Sequence, residues 1–124
     1  MLDTHSDSRG NFTEFIRTQT SGQISFFTAH PGVSRGGHFH DSKTEKFLVI
    51  SGQAKFRFFN MVSDEYFEII SSDARPEVIE TAPGWAHDVT NIGTEILICM
   101  LWANERFDSD RPDTYTFNFH DGIS

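Results

Sequence analysis

Four residues constrain this chain more than any other feature of it: His38, His40, Glu45 and His87. His38 and His40 are separated by one residue. On an extended strand, residues i and i+2 project from the same face, whereas on a helix they point to nearly opposite sides. The spacing therefore argues for a strand, and on a strand both imidazoles can reach one ion. Glu45 opens the run Glu45-Lys46-Phe47-Leu48-Val49-Ile50, whose alternation puts its carboxylate on the side of Phe47 and Val49 and turns Lys46 outward. A charged carboxylate on an interior face is costly without a partner. A divalent cation bound by neutral imidazoles supplies that partner. His87 opens a further strand after the Pro83-Gly84 turn, and it closes the site if that strand lies beside the first histidine strand. His5 and His30 carry no such pattern and read as ordinary hydrogen-bonded or solvated histidines.

The rest of the chain reads as short strands between turn residues. Strands are expected over Phe12–Arg17, Ile24–Thr28, Gly37–His40, Glu45–Ile50, Gln53–Phe59, Tyr66–Ile70, Glu77–Glu80, His87–Thr90, Glu95–Trp102 and Thr114–Phe119. Ala54, Phe56 and Phe58 alternate with Lys55 and Arg57, the pattern of a strand with one wet face. One helical turn is expected over Ser71–Pro76 and a surface loop over Arg106–Asp113. No stretch keeps a 3.6-residue period over ten residues. The class is therefore all-β, a sandwich or barrel.

A chain of 124 residues makes one domain, 1–124. Its 13 phenylalanines point to an aromatic interior. The single cysteine, Cys99, excludes an intrachain disulfide and fits a reducing compartment. The N-terminus has neither the basic region nor the apolar run of a signal peptide, and no run is apolar enough to span a membrane, so a cytoplasmic location is expected. The formal net charge of −8 argues against nucleic acid as a partner. It leaves room for a small anion held by a few arginines in a cleft.

With these residues in place, a resemblance emerges. Gly32, five residues, His38-x-His40, four residues, Glu45, six residues, Gly52 matches the first cupin motif, and Pro83-Gly84-x-x-His87-x-x-x-Asn91 resembles the second. The second match departs from the pattern where Pro83 adjoins Gly84 and the earlier motif glycine is missing. Asp7-Ser8-Arg9-Gly10-Asn11-Phe12-Thr13-Glu14 looks like the opening of dTDP-4-dehydrorhamnose 3,5-epimerases, and Arg35-Gly36-Gly37-His38 is similar to their R-G-x-H segment. The stretch from Arg35 through Ile50 looks most like the C-terminal cupin half of bifunctional capsular-polysaccharide enzymes, in which a short-chain reductase half comes first.

The resemblance implies a double-stranded β-helix (jelly-roll) barrel with a metal, zinc, inside its mouth, held by His38, His40, Glu45 and His87. It implies epimerisation at carbon 3 of a UDP-4-keto-6-deoxy-N-acetylhexosamine. No βαβ pattern or glycine-rich dinucleotide turn is present, so the chain is either an excised domain or a stand-alone epimerase. Arg9 and Arg35 match arginines of the epimerase pattern and are candidates for the substrate diphosphate. Trp85 is placed to stack on the uracil ring or to plug the barrel. A base is still needed once the metal takes three histidines, and Tyr115, His120, Tyr66, Lys46 and Asp88 are the candidates. Two other functions share the ligand set: an iron- or manganese-dependent cupin oxygenase, and a non-catalytic sugar-binding cupin. A half-open barrel leaves sheet edges, so a homodimer is expected.

Overall fold

The computed structural model describes residues 1–105 and 113–119. The described residues form eleven strands. In chain order these are β1 (Thr4–Asp7), β2 (Gly10–Arg17), β3 (Gln23–Ala29), β4 (Ser34–Phe39), β5 (Glu45–Ser51), β6 (Gln53–Asn60), β7 (Tyr66–Ser72), β8 (Val78–Thr81), β9 (Trp85–Asn91), β10 (Leu97–Ala103) and β11 (Tyr115–Thr116). They make two antiparallel sheets. The larger runs β1-β2-β3-β10-β5-β8 and the smaller runs β11-β4-β9-β6-β7. This is the two-sheet, all-β architecture the sequence pattern and the cupin motifs imply.

Alternation along each strand builds the interior. In β3 and β10 every second residue is buried, which brings Phe27, Ala29, Leu97, Cys99 and Leu101 inward. Phe56 and Phe58 of β6 meet Phe47 of β5 from the opposite sheet, with ring centroids of Phe47 and Phe56 5.6 Å apart. Val89 and Ile79 join the same cluster. Burying several aromatic side chains is what holds the two sheets face to face.

Three local readings differ from the sequence-based expectation. Strand β1 occupies Thr4–Asp7, where no strand is expected, because all four of its residues are exposed and carry no apolar alternation. It is held by pairing with β2, with His5 opposite Phe12. Residues 71–76 form the end of β7 and a turn closed by the Ser72–Arg75 bridge, rather than a helical turn. The expected long strand over Thr114–Phe119 is a two-residue pairing with β4. Of the loop expected over Arg106–Asp113, only Asp113 lies within the described residues.

A candidate metal centre inside the barrel

The site is assembled from three strands. β4 and β9 pair antiparallel with His38 opposite His87, and the register shifts between Gly36 and His38. That shift needs backbone conformations that side chains resist: Gly36 and Gly37 have φ of 97° and 73°. A Cβ at Gly36 would also lie 3.1 Å from the His87 carbonyl oxygen. The glycine pair thus lets β4 bulge against β9. His40 follows at the end of β4, and Glu45 enters from β5 in the facing sheet. On β5 the burial alternates as the sequence implies, with Glu45, Phe47 and Val49 buried and Lys46 exposed.

One ligand atom from each of His38, His40, Glu45 and His87 lies within 4.8 Å of all the others. Donors on opposite sides of an ion with bonds of about 2.1 Å would be about 4.2 Å apart, so the four already define an ion-sized space. His40 Nε2 is 2.9 Å from Glu45 Oε1, and His87 Nε2 is 3.3 Å from the same oxygen. The His38 ring lies 4.9 Å from that of His40 and 4.8 Å from that of His87. His40, Glu45 and His87 are buried. Three imidazoles and a carboxylate converging in a buried space suit a divalent cation of borderline character better than any arrangement of hydrogen bonds among themselves.

The electrostatics agree. Burial pushes His38 down to about 3, helped by neighbouring His87. Burial is the largest influence on His40 and opposes its charge, but the hydrogen bond with Glu45, the charge of that carboxylate and the Asp113 carbonyl together outweigh it, and the net shift is upward. Burial would raise Glu45, yet the bonds from His40 and His87 hold its carboxyl well below the usual carboxylate range. Both ring nitrogens of His40 face acceptors, because Nδ1 lies 2.6 Å from the Asp113 carbonyl oxygen. Without a cation, these two acceptors favour the protonated form of His40, whose Nε2 proton would occupy the space where the ion would sit.

A pH dependence follows. His40 carries a raised pKa, so its proton competes with metal until the pH exceeds that value; Glu45 stays ionised well into acid. Metal affinity should rise with pH through neutrality and fall toward acid, the loss beginning above the ordinary histidine pKa of about 6.5. Dialysis against zinc across pH 5 to 8 checks this, and unchanged occupancy down to pH 5 would count against histidine ligation.

The four ligands line a cavity of about 410 Å³, within the size range of small-molecule sites. Arg9 and Arg35 line it too, with Phe12 and Phe27. Arg35 stands over the Phe27 ring, 5.4 Å from its centroid. Asp7 holds Arg9 through a bidentate pair, with Nη2 to Oδ2 at 2.6 Å, and lies 4.0 Å from Arg35. The two arginines therefore converge on one acidic residue at the cavity wall.

The other sequence candidates lie elsewhere. Trp85 is absent from the cavity lining; it packs against Phe67, 5.3 Å away, and against the core. Tyr115 is exposed, stacks on Phe39 at 5.2 Å, and does not line the cavity. Tyr66 bonds Glu68 at the surface, and Asp88 is bound in an ion pair with Arg57 on the outer side of the smaller sheet. His120 lies outside the described residues. Three titratable side chains that the sequence reading passed over do line the cavity: His5, Glu14 and Lys43. His5 was hidden because β1 was. Glu14 sits in the motif Phe12-Thr13-Glu14, where alternation with Phe12 places it on the same face. Lys43 is buried beside the ligands, a position that no periodicity outside a strand reveals.

Comparison with known proteins fits this geometry. The chain is 56% identical over 118 residues to the UDP-2-acetamido-2,6-beta-L-arabino-hexul-4-ose reductase of Pseudomonas aeruginosa, covering 95% of this chain and 32% of that protein. It superposes on the capsular polysaccharide assembling protein CapF of Staphylococcus aureus with a TM-score of 0.92 and 40% identity, covering 95% of this chain and 32% of that one. The chain thus spans about a third of the length of these relatives. Oxalate decarboxylase of Bacillus subtilis, at 20% identity and a TM-score of 0.73 over 83% of this chain and 28% of that one, shares the cupin fold. No helix among the described residues is long and apolar enough to cross a membrane. The family model described as the polysaccharide biosynthesis C-terminal domain matches residues 5–115, and the chain belongs to that family.

Proposed function

We propose that this domain is a metal-dependent nucleotide-sugar epimerase that exchanges the proton at carbon 3 of a UDP-4-keto-6-deoxy-N-acetylhexosamine in capsule or O-antigen sugar biosynthesis, with zinc as its ion. The observation that carries the reading is the four-residue ligand set sharing one cavity with two arginines. The P. aeruginosa relative is named for a UDP-linked 2-acetamido 4-ulose, and a proton beside such a ketone is the acidic one. The same reading places a short-chain reductase domain alongside this one and pairs the domain with a second copy in a cytoplasmic homodimer.

A divalent cation at this site supplies a Lewis acid for the ketone oxygen. The chain supplies the rest. Arg9 and Arg35 offer guanidinium forks to the diphosphate, a geometry suited to paired phosphate oxygens. Phe12 and Phe27 exclude water from the sugar ring, which strengthens every charge interaction in the cavity. Removing the carbon-3 proton and returning it on the other face needs side chains that do not hold the metal. Among the described titratable lining residues outside the ligand set and the two arginines, His5, Glu14 and Lys43 are the candidates for this proton transfer.

The test is solvent exchange. Zinc-loaded protein in deuterium oxide should place deuterium at carbon 3 of a UDP-4-keto-6-deoxy-N-acetylhexosamine, read by mass spectrometry. Binding without label would leave a sugar-binding cupin, and oxygen uptake with an iron- or manganese-loaded protein would favour an oxygenase. Arg35 gives a second check. Arg35→Ala should raise KM for the exchange by roughly 10- to 100-fold, the loss of a charge-assisted bond of about 1.5–3 kcal/mol, with kcat changed much less. An unchanged KM would remove Arg35 from the diphosphate.

A further inference from the structure

A short segment after β10 touches the site from outside. Asp113 approaches it with two different groups. Its backbone carbonyl oxygen lies 2.6 Å from His40 Nδ1. Its carboxylate accepts the backbone N–H groups of Asp41, Ser42 and Lys43 at 2.9, 3.0 and 3.1 Å, and the Ser42 hydroxyl at 3.0 Å. Residues 41–43 are the turn that connects the ligand His40 to the ligand Glu45. Asp113 also has φ of 48°, a left-handed conformation that aspartate tolerates better than most side chains. The segment continues as β11, where Thr116 pairs with His38, and then Phe117 donates its N–H to the Gly37 carbonyl at 2.7 Å. Phe117 stacks on Phe59 at 5.2 Å, which anchors the far end of the segment on the outer face of the smaller sheet.

A carbonyl oxygen only accepts, so it fixes the proton of His40 on Nδ1 and turns Nε2, the nitrogen beside Glu45, toward the ligand cluster. The outer nitrogen of His87 has no counterpart to this: Nδ1 is buried without a hydrogen-bond partner among the described residues. Thr114 Oγ1 lies 3.5 Å from His40 Nδ1, too far to take over from the carbonyl.

We infer that Asp113 is a positioning residue for the metal centre: it sets the tautomer and direction of His40 through its carbonyl and fixes the His40–Glu45 turn through its carboxylate, so that tight metal binding depends on it. The inference rests on the metal reading above. Partners of this kind typically contribute 10- to 100-fold in metal affinity.

The experiment measures zinc affinity by competition with a chromophoric chelator on the full chain. Asp113→Ala, which loses the carboxylate and disfavours the left-handed backbone, should weaken zinc binding by about 10- to 100-fold. Asp113→Asn, which keeps one acceptor oxygen and tolerates the backbone, should recover part of that loss. Asp73→Ala is the control: Asp73 caps the Gly52 N–H at 3.0 Å in the same manner, in a turn that carries no ligand, and should leave zinc affinity within twofold of the unsubstituted protein. Nitrogen-15 spectra of the imidazoles give a readout without metal. The His40 Nδ1–H signal of the unsubstituted protein should broaden or shift in Asp113→Ala and remain in Asp73→Ala. Equal zinc affinities for Asp113→Ala and the unsubstituted protein overturn the inference, as does an unchanged His40 signal. If the unsubstituted protein itself fails to take up zinc, the metal reading is what fails. If Asp113→Ala does not fold, the Asp113→Asn affinity decides, with a value equal to that of the unsubstituted protein counting against the role.

Discussion

His87→Ala should abolish stoichiometric metal binding and, with it, the proposed exchange activity. His87 sits on the central pairing of the smaller sheet, opposite His38, and its Nε2 lies 3.3 Å from Glu45 Oε1. Its loss removes one of four donors and leaves a buried void between Phe47 and His38, whose rings flank it at 5.7 and 4.8 Å. Groups that only orient a ligand are worth 10- to 100-fold in metal affinity, so loss of a ligand should exceed roughly 100-fold. Elemental analysis after gel filtration, beside a thermal melt to show that the fold persists, checks this. Full metal content in a folded His87→Ala protein would remove the residue from the centre.

The second large effect is on stability. Phe56→Ala should cost roughly 3–5 kcal/mol, a large part of the stability of a domain this size. Phe56 is completely buried and bridges the sheets between Phe47 at 5.6 Å and Phe58 at 6.4 Å. Its removal leaves a cavity that the strands cannot collapse, since each is fixed by ladders on both sides, β6 lying between β9 and β7. Because Phe47 also touches the His87 ring, the substitution should loosen the metal centre as well as the core. Urea unfolding followed with and without zinc reads both effects. A stability change under about 1 kcal/mol would mean that the sheets are not held together where the structure puts their contact.

Much of this was legible in the residues, for identifiable reasons. A buried strand announces itself by alternation, and β5 and β6 do so through Glu45-Phe47-Val49 and Ala54-Phe56-Phe58. The ligands were legible because the spacing of His38 and His40 has a geometric meaning on one kind of backbone only. Their meeting with His87 needed only that two strands be neighbours, and β4 and β9 are. What stayed hidden has a common cause. β1 is a polar edge strand whose existence depends on a partner far from it in character, so the tetrapeptide Thr4-His5-Ser6-Asp7 carries no signal of its own. His5 reaches the cavity only because of that pairing. Lys43 and Asp113 act from turns, where no period fixes the direction of a side chain. Trp85 follows the parity of His87 into the barrel, yet the depth at which an inward side chain lies along the barrel axis decides whether it meets ligand or core, and parity is silent about depth.

The acidic balance of the chain also finds its place. A net charge of −8 would repel a nucleotide diphosphate at long range. Within the cavity wall, however, Arg9 and Arg35 converge around Asp7, whose carboxyl is held far below the usual carboxylate range first by its hydrogen bonds from Arg9. On the proposed reading, a diphosphate arriving there would compete with Asp7 for both guanidinium groups, and the arginines would be oriented before it binds.

His38, His40, Glu45 and His87 are proposed to hold one cation together. X-ray absorption at the metal edge of zinc-reconstituted protein measures this most directly. The predicted spectrum has three imidazole nitrogens and one or two carboxylate oxygens around a single zinc per chain, at about 2.0–2.2 Å. A spectrum with fewer than two imidazoles, or zinc bound at less than one equivalent in a folded protein at neutral pH, would contradict it.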